Sequence, residues 1–262
     1  MSETAPQAAG QVHVERRAHV AIVVLDNPPL NIITAQLRPL ILNALDELDA
    51  DESVRCVVLT GAGDRAFCAG ADLNEEAELT KESVRQFLKD DCEIFDRIEA
   101  FPVPVIAAIN GYCMGGGLEL ALSCDIRITA DDAKLLGAGV KIGLVVSTTR
   151  ITRLAGPGVA KDILLTGRTF DGTNALRLGL ASAAVPRAAL MTEALAWAQQ
   201  IATRAPLAVR RTKQAIHEAS QLPFEVAMER ELDHFAALSV THDHKEAIKA
   251  FFAREEPTFL GR

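Results

Sequence analysis

Apolar positions along the chain alternate between two spacings. Compact runs of strand length, rich in Val and Ile, occur at 19–26 (HVAIVVLD), 55–60 (RCVVLT), 105–110 (VIAAIN) and 125–130 (DIRITA). With VHVE at 12–15 and Arg16-Arg17-Ala18 between the runs, the first predicts a β-hairpin over 12–26. Between these runs the spacing becomes helical. Leu37, Ile41, Leu45 and Leu48 form one stripe, predicting a helix over 34–49 that Thr34 caps. Val84, Phe87, Leu88, Ile94, Phe95 and Ile98 form another, opened by Thr80 or Ser83 and ending near Ala100. The order implies an α/β core with crossover connections.

Beyond residue 150 the pattern is helical, with helices predicted over 159–166, 173–178, 191–203, 206–220, 223–239 and 244–253. A boundary near Arg187 divides a core, 12–187, from a helical region, 188–262. Such a region, lacking a dense core of its own, packs on the body or on another subunit. The polar segment 1–11 lacks the apolar stretch of a secretory signal and is expected to be a disordered tail.

Composition narrows the functional classes. A hydrophobic content of 49% supports a substantial core, and a net charge of −8 provides no global basic field for nucleic acid or an anionic membrane. No apolar run reaches the roughly 18 residues of a membrane span. The five cysteines, at 56, 68, 92, 113 and 124, are odd in number and lack CxxC spacing, which suits reduced thiols in a cytoplasmic protein rather than disulfides or a zinc site. His242-Asp243-His244 has a superficial metal-ligand spacing, but Thr241 before it reads as a helix N-cap. No metal is expected.

Two small-residue segments carry candidate chemistry: AFCAGADL at 66–73 and NGYCMGGGLELALSCD at 110–125. Glycine allows a ligand close to the backbone, and unpaired N–H groups at a helix start can bind a negative oxygen. Two such groups from separate segments would form an oxyanion hole, although tight turns alone would also explain the glycines. Neither a GxGxxG nor a P-loop spacing is present.

Five ordered stretches, NPPLNIIT (27–34), VLTGAGDRAFCAGADL (58–73), PVIAAINGYCMGGGLELALSCDIRI (104–128), LTGRTFDGTNALRLGLASAAVP (165–186) and AIKAFFAREEPTFLGR (247–262), together resemble the crotonase, or enoyl-CoA hydratase/isomerase, superfamily. The resemblance implies a spiral of ββα units with a helical C-terminal trimerisation region, assembled as a homotrimer or a dimer of trimers. The implied ligand is an acyl-CoA thioester. Coenzyme A enters with the substrate, and no separate cofactor is implied.

Residue by residue, the resemblance makes the N–H groups of Ala71 and Gly116 the oxyanion hole and Glu119 the acid/base. Pro29, Leu30, Ala69, Gly70, Asp72, Leu73, Asn74 and Gly115 would line the CoA cleft. Phe252 and Arg254 would stand beside the CoA nucleotide, with core packing and a solvated helix end as the alternative. For Glu119 the alternative is a capping role in the first turn of its helix.

The chain departs from the family in one place. Hydratases of the family hold water with two glutamates, and the second would fall at position 139. Here AGVKIGL at 138–144 places Gly139 there, and VSTTRITRL at 146–154 replaces the usual glycine-rich run and introduces Arg150. Arg150 would meet either a carboxylated acyl group or a surface acid. One carboxylate suffices for syn addition if the same water supplies proton and hydroxide. Hydration of a 2-enoyl-CoA is therefore the first expectation. Isomerisation, decarboxylation or thioester hydrolysis is the alternative that Gly139 motivates, and a non-catalytic CoA binder is a third, against which Glu119 counts.

Overall fold

The computed structural model describes residues 10–262. Of the expected tail, residues 1–9 lie outside the described residues, and Gln11 already opens the first strand. β1 (Gln11–Arg17) and β2 (Val20–Asp26) form the expected hairpin, paired antiparallel from Gln11 with Asp26 to Arg17 with Val20. α1 follows at Leu37–Asp49, three residues later than expected. Thr34 does serve its start, because its carbonyl accepts from the Leu37 and Arg38 amides and its hydroxyl from Leu37, but residues 34–36 form a turn.

The chain then winds through repeated turns that give one strand to each of two sheets. β3 (Cys56–Gly61) is followed by β4 (Ala66–Cys68), β5 (Val105–Ile109) by β6 (Tyr112–Met114), and β7 (Ile126–Ala130) by β8 (Lys134–Leu136). The first member of each pair joins a six-stranded sheet and the second a four-stranded sheet. Helices return the chain: α2 (Leu73–Ala77) and α3 (Val84–Glu99) after β4, α4 (Gly116–Ser123) after β6, and α5 (Thr148–Thr166) after β8. The neighbouring pairs β2–β3, β3–β5, β5–β7, β4–β6 and β6–β8 are all parallel, as helical crossovers require. β9 (Phe170–Asp171) closes the smaller sheet antiparallel to β8. After α6 (Gly172–Arg177), β10 (Ala183–Val185) completes the larger sheet beside β7.

α5 is longer than the expected 159–166. It bends at Gly156 (φ 79°, ψ 166°), followed by Pro157, and this break hides its first half from a periodicity reading. α7 (Leu190–Ala202) lies past the boundary drawn at Arg187, yet it buries Leu190, Ala194, Ala198 and Ala202 in the same core as the large sheet. The helices beyond it, α8 (Pro206–Ala219), α9 (Phe224–Ser239) and α10 (His242–Ala253), bury far less. Phe224, Leu232 and Phe235 are exposed on α9, as are Phe251 and Phe252 on α10.

The Thr241 hydroxyl caps α10 by accepting from the His244 amide, as expected. Asp243 does more than occupy the first turn. It is 1% exposed and accepts from the Leu260 and Gly261 amides, 2.8 Å each, tying down the C-terminal segment. Among the described residues, no cluster of side chains suited to a metal occurs, and no helix is long and apolar enough to cross a membrane. Cys56, Cys68, Cys113 and Cys124 are buried free thiols, while Cys92 is exposed. Burial pushes the thiols of Cys56, Cys68 and Cys124 up to about 12.

Candidate active site

The site forms where the spiral brings the end of β4 beside the start of α4. Gly70 has φ +100°, a conformation side chains rarely adopt, and a methyl group there would stand 2.9 Å from the Met114 carbonyl and 3.0 Å from the Gly116 amide. Glycine thus permits two chain segments, 70–71 and 114–116, to touch. A methyl group built on Gly116 would lie 3.4 Å from the Ala71 nitrogen, so the two amides are close neighbours. Gly116 is the first residue of α4, where N–H groups have no intrahelical acceptor. Among the described residues, neither the Ala71 nor the Gly116 N–H donates a hydrogen bond.

The loop before α1 fastens to this corner. The Ala69 amide donates to the Leu30 carbonyl at 3.0 Å, and the Ile33 amide to the Gly70 carbonyl at 2.8 Å. Asn31 holds the loop from inside, its amide nitrogen donating to the carbonyls of Ala62 and Ala66. Pro29 and Leu73 are exposed, and Leu30, Ala69 and Gly115 are half-buried around the same corner. The Asp72 side chain caps α2 by accepting from the Asn74 amide, so part of its capacity is structural.

Glu119 lies one turn into α4. Its amide donates to Gly115, but its carboxylate caps no helix, which removes the capping alternative. Instead Oε1 accepts from Arg150 Nη1 at 2.5 Å, while Oε2 is buried without a partner. Both side chains are only 16% exposed. Arg150 also donates to Glu99 (2.8 Å) and Asp96 (2.9 Å). Burial opposes its charge, but the hydrogen bonds and charges of Glu119 and Glu99 outweigh that and raise its proton affinity. Arg150 was expected among substrate-binding residues; the structure engages its guanidinium with three protein carboxylates.

Glu119, Arg150, Asp96 and Glu99 line one cavity of about 580 Å³ with Val145, Ser147 and His217 among others. Sequence reasoning missed Asp96, Glu99, Ser147 and His217. The acids lie on the outer turns of α3 and His217 on α8, and nothing in their local sequence sets them apart from a solvated face. Gly139 is buried in a short 3₁₀ turn (Gly139–Ile142) with no room for a side chain, since a methyl group there would meet the Leu144 carbonyl at 2.6 Å. Of the expected site residues, Glu119 and Arg150 line this cavity; Ala71, Gly116, the other residues expected along the CoA cleft, Phe252 and Arg254 do not. Phe252 is 79% exposed, and Arg254 ends α10 in a left-handed conformation.

Such a spiral of paired strands, with an amide corner and a buried acid, defines a class, and comparison with known proteins agrees. The Enoyl-CoA hydratase/isomerase family model matches residues 15–262, and the chain belongs to that family of enzymes. It is 36% identical to the short-chain-enoyl-CoA hydratase of Clostridium acetobutylicum, covering 94% of this chain and 95% of that one. It is 34% identical to the crotonyl-CoA hydratase of Syntrophomonas wolfei, over 95% of this chain and 97% of that one. The crystal structure of an enoyl-CoA hydratase from Bacillus anthracis superposes with a TM-score of 0.93 at 34% identity, covering 96% of this chain and all of that one.

Proposed function

We propose that this enzyme adds water across the double bond of a short 2-enoyl-CoA thioester. The Ala71 and Gly116 amides hold the thioester oxygen, and Glu119 moves the protons. The observation that carries the reading is the buried, unpartnered Glu119 Oε2, on the same short helix that begins with the Gly116 N–H. The relatives' names point to the same reaction and to short acyl chains.

In this reading, negative charge develops on the thioester oxygen as water attacks C3, and the two fixed amides stabilise it more in the transition state than in the ground state. The C2=C3 electron pair moves into the enolate while a water proton passes to Glu119. Glu119 then returns that proton to C2. Arg150, fixed on Oε1, leaves Oε2 as the atom that exchanges the proton. In this reading the pantetheine arm passes Leu30, Ala69, Asp72 and Asn74, which the resemblance assigns to the CoA cleft and which lie in the segments joined at the amide corner. No group beyond the coenzyme A of the substrate takes part.

The exposed aromatic residues of α9 and α10 support association with further copies of this chain; the resemblance to the family supports a homotrimer or dimer of trimers, and the reduced cysteines a cytoplasmic location.

Incubation with crotonyl-CoA, following loss of the enoyl absorbance, tests the reading. Glu119→Gln should lower kcat by roughly 10²–10⁴-fold with CoA binding retained. A second reading, isomerisation, decarboxylation or thioester hydrolysis, is favoured by the absence of a carboxylate at Gly139. Inert crotonyl-CoA together with turnover of a 3-enoyl or malonyl-type thioester would decide for it.

A further inference from the structure

Four buried side-chain polar atoms lack a hydrogen-bond partner among the described residues, and two of them, Glu119 Oε2 and Ser147 Oγ, belong to residues lining the same cavity. Ser147 is 7% exposed. It stands at the N-cap position of α5, where a serine hydroxyl ordinarily accepts from the helix amides. Here it does not cap. Its backbone is left-handed (φ 59°, ψ 10°), a strained conformation for a residue with a side chain. A buried hydroxyl without a partner is unfavourable, and such groups mark sites completed by something else.

The segment leading to Ser147 also explains the missing acid. A side chain at Gly139 would run into the Leu144 carbonyl at 2.6 Å and into the Val146 nitrogen at 3.1 Å. Residues 144–146 therefore occupy the space that the first carbon of any side chain at 139 would need, and Ser147 follows them directly.

We propose that the Ser147 hydroxyl replaces that carboxylate and, together with Glu119, binds the water that attacks the enoyl carbon; this rests on the hydration reading above. Glu119 Oε2 accepts one O–H of the water and Ser147 Oγ accepts the other, which leaves a water lone pair for C3. The C3–O bond forms as the first O–H breaks toward Glu119 and the π pair moves to the thioester oxygen. Glu119 then protonates C2. A neutral hydroxyl takes no proton in this sequence, so both transfers run through Glu119 and addition is syn.

Ser147→Gly and Ser147→Ala test the assignment by steady-state kinetics on crotonyl-CoA and by thermal unfolding. Glycine suits the left-handed backbone, so a merely structural serine would be replaced without loss and with equal or higher Tm. The expected result is a fall in kcat of about 10–100-fold in both variants, with KM within about twofold. Alanine supplies the answer if the glycine variant does not fold. An active wild type with a kcat within about threefold in Ser147→Gly overturns this assignment alone. A wild type inert on 2-enoyl-CoA overturns the hydration reading and this assignment with it.

Discussion

Arg150 Nη1 holds one oxygen of Glu119 at 2.5 Å, while the other oxygen of the same carboxylate is buried and unpaired. The pair divides the acid into a fixed half and a reactive half. An Arg can do this because its planar fork serves Glu119, Glu99 and Asp96 together, which a single ammonium group does not match geometrically.

Removing the guanidinium should therefore affect both stability and chemistry. Arg150→Met leaves three carboxylates facing one another around the cavity. Urea unfolding should show a loss of about 1–3 kcal/mol, and kcat should fall at least tenfold as Glu119 loses its orientation. Arg150→Lys should recover only part of either. Full activity in Arg150→Met would show that Glu119 needs no such clamp.

Restoring the family's second glutamate should fail. Gly139→Glu places its Cβ against the Leu144 carbonyl, so backbone must shift before the carboxylate reaches the cavity. The expected outcome is a destabilisation of about 1–3 kcal/mol and no gain in kcat. A stable variant with raised hydration would mean that the 144–146 turn yields readily.

Asp243 should govern part of the acid limb of stability. Burial raises its proton affinity, but the Leu260 and Gly261 amides and His242 outweigh that and hold its carboxyl below the ordinary value of 3.8. The unfolded chain then binds the proton more readily than the folded one. The contribution is thus present above 3.8 and is lost as pH falls toward the depressed folded value. Thermal unfolding between about pH 2 and 5 should show a shallower acid loss in Asp243→Asn than in wild type. Amide exchange at Leu260 and Gly261 should quicken in that variant at neutral pH. Unchanged exchange would place the anchoring of the C-terminal segment elsewhere.

Local pattern determined a good deal about this protein. The hairpin at 11–26 and the strands at Cys56–Gly61, Val105–Ile109 and Ile126–Ala130 all lie where apolar periodicity placed them. Burial imposes a period of about 2 or 3.6 on any segment that packs one face, so those elements leave a trace in one dimension. The small-residue segments around Gly70 and Gly116 stood out too, because close backbone approach restricts residue type locally, whereas Glu119 was marked only by the resemblance to the crotonase superfamily.

Only the tertiary structure decided the surroundings of Glu119. Arg150 comes from α5, Asp96 and Glu99 from α3, His217 from α8, and Ser147 from a strained turn before α5. Each is an ordinary polar residue in its own segment, and the break at Gly156 blurs the very helix that carries Arg150. Whether a charge faces solvent or a cavity depends on how distant segments pack, and that packing has no period in the sequence.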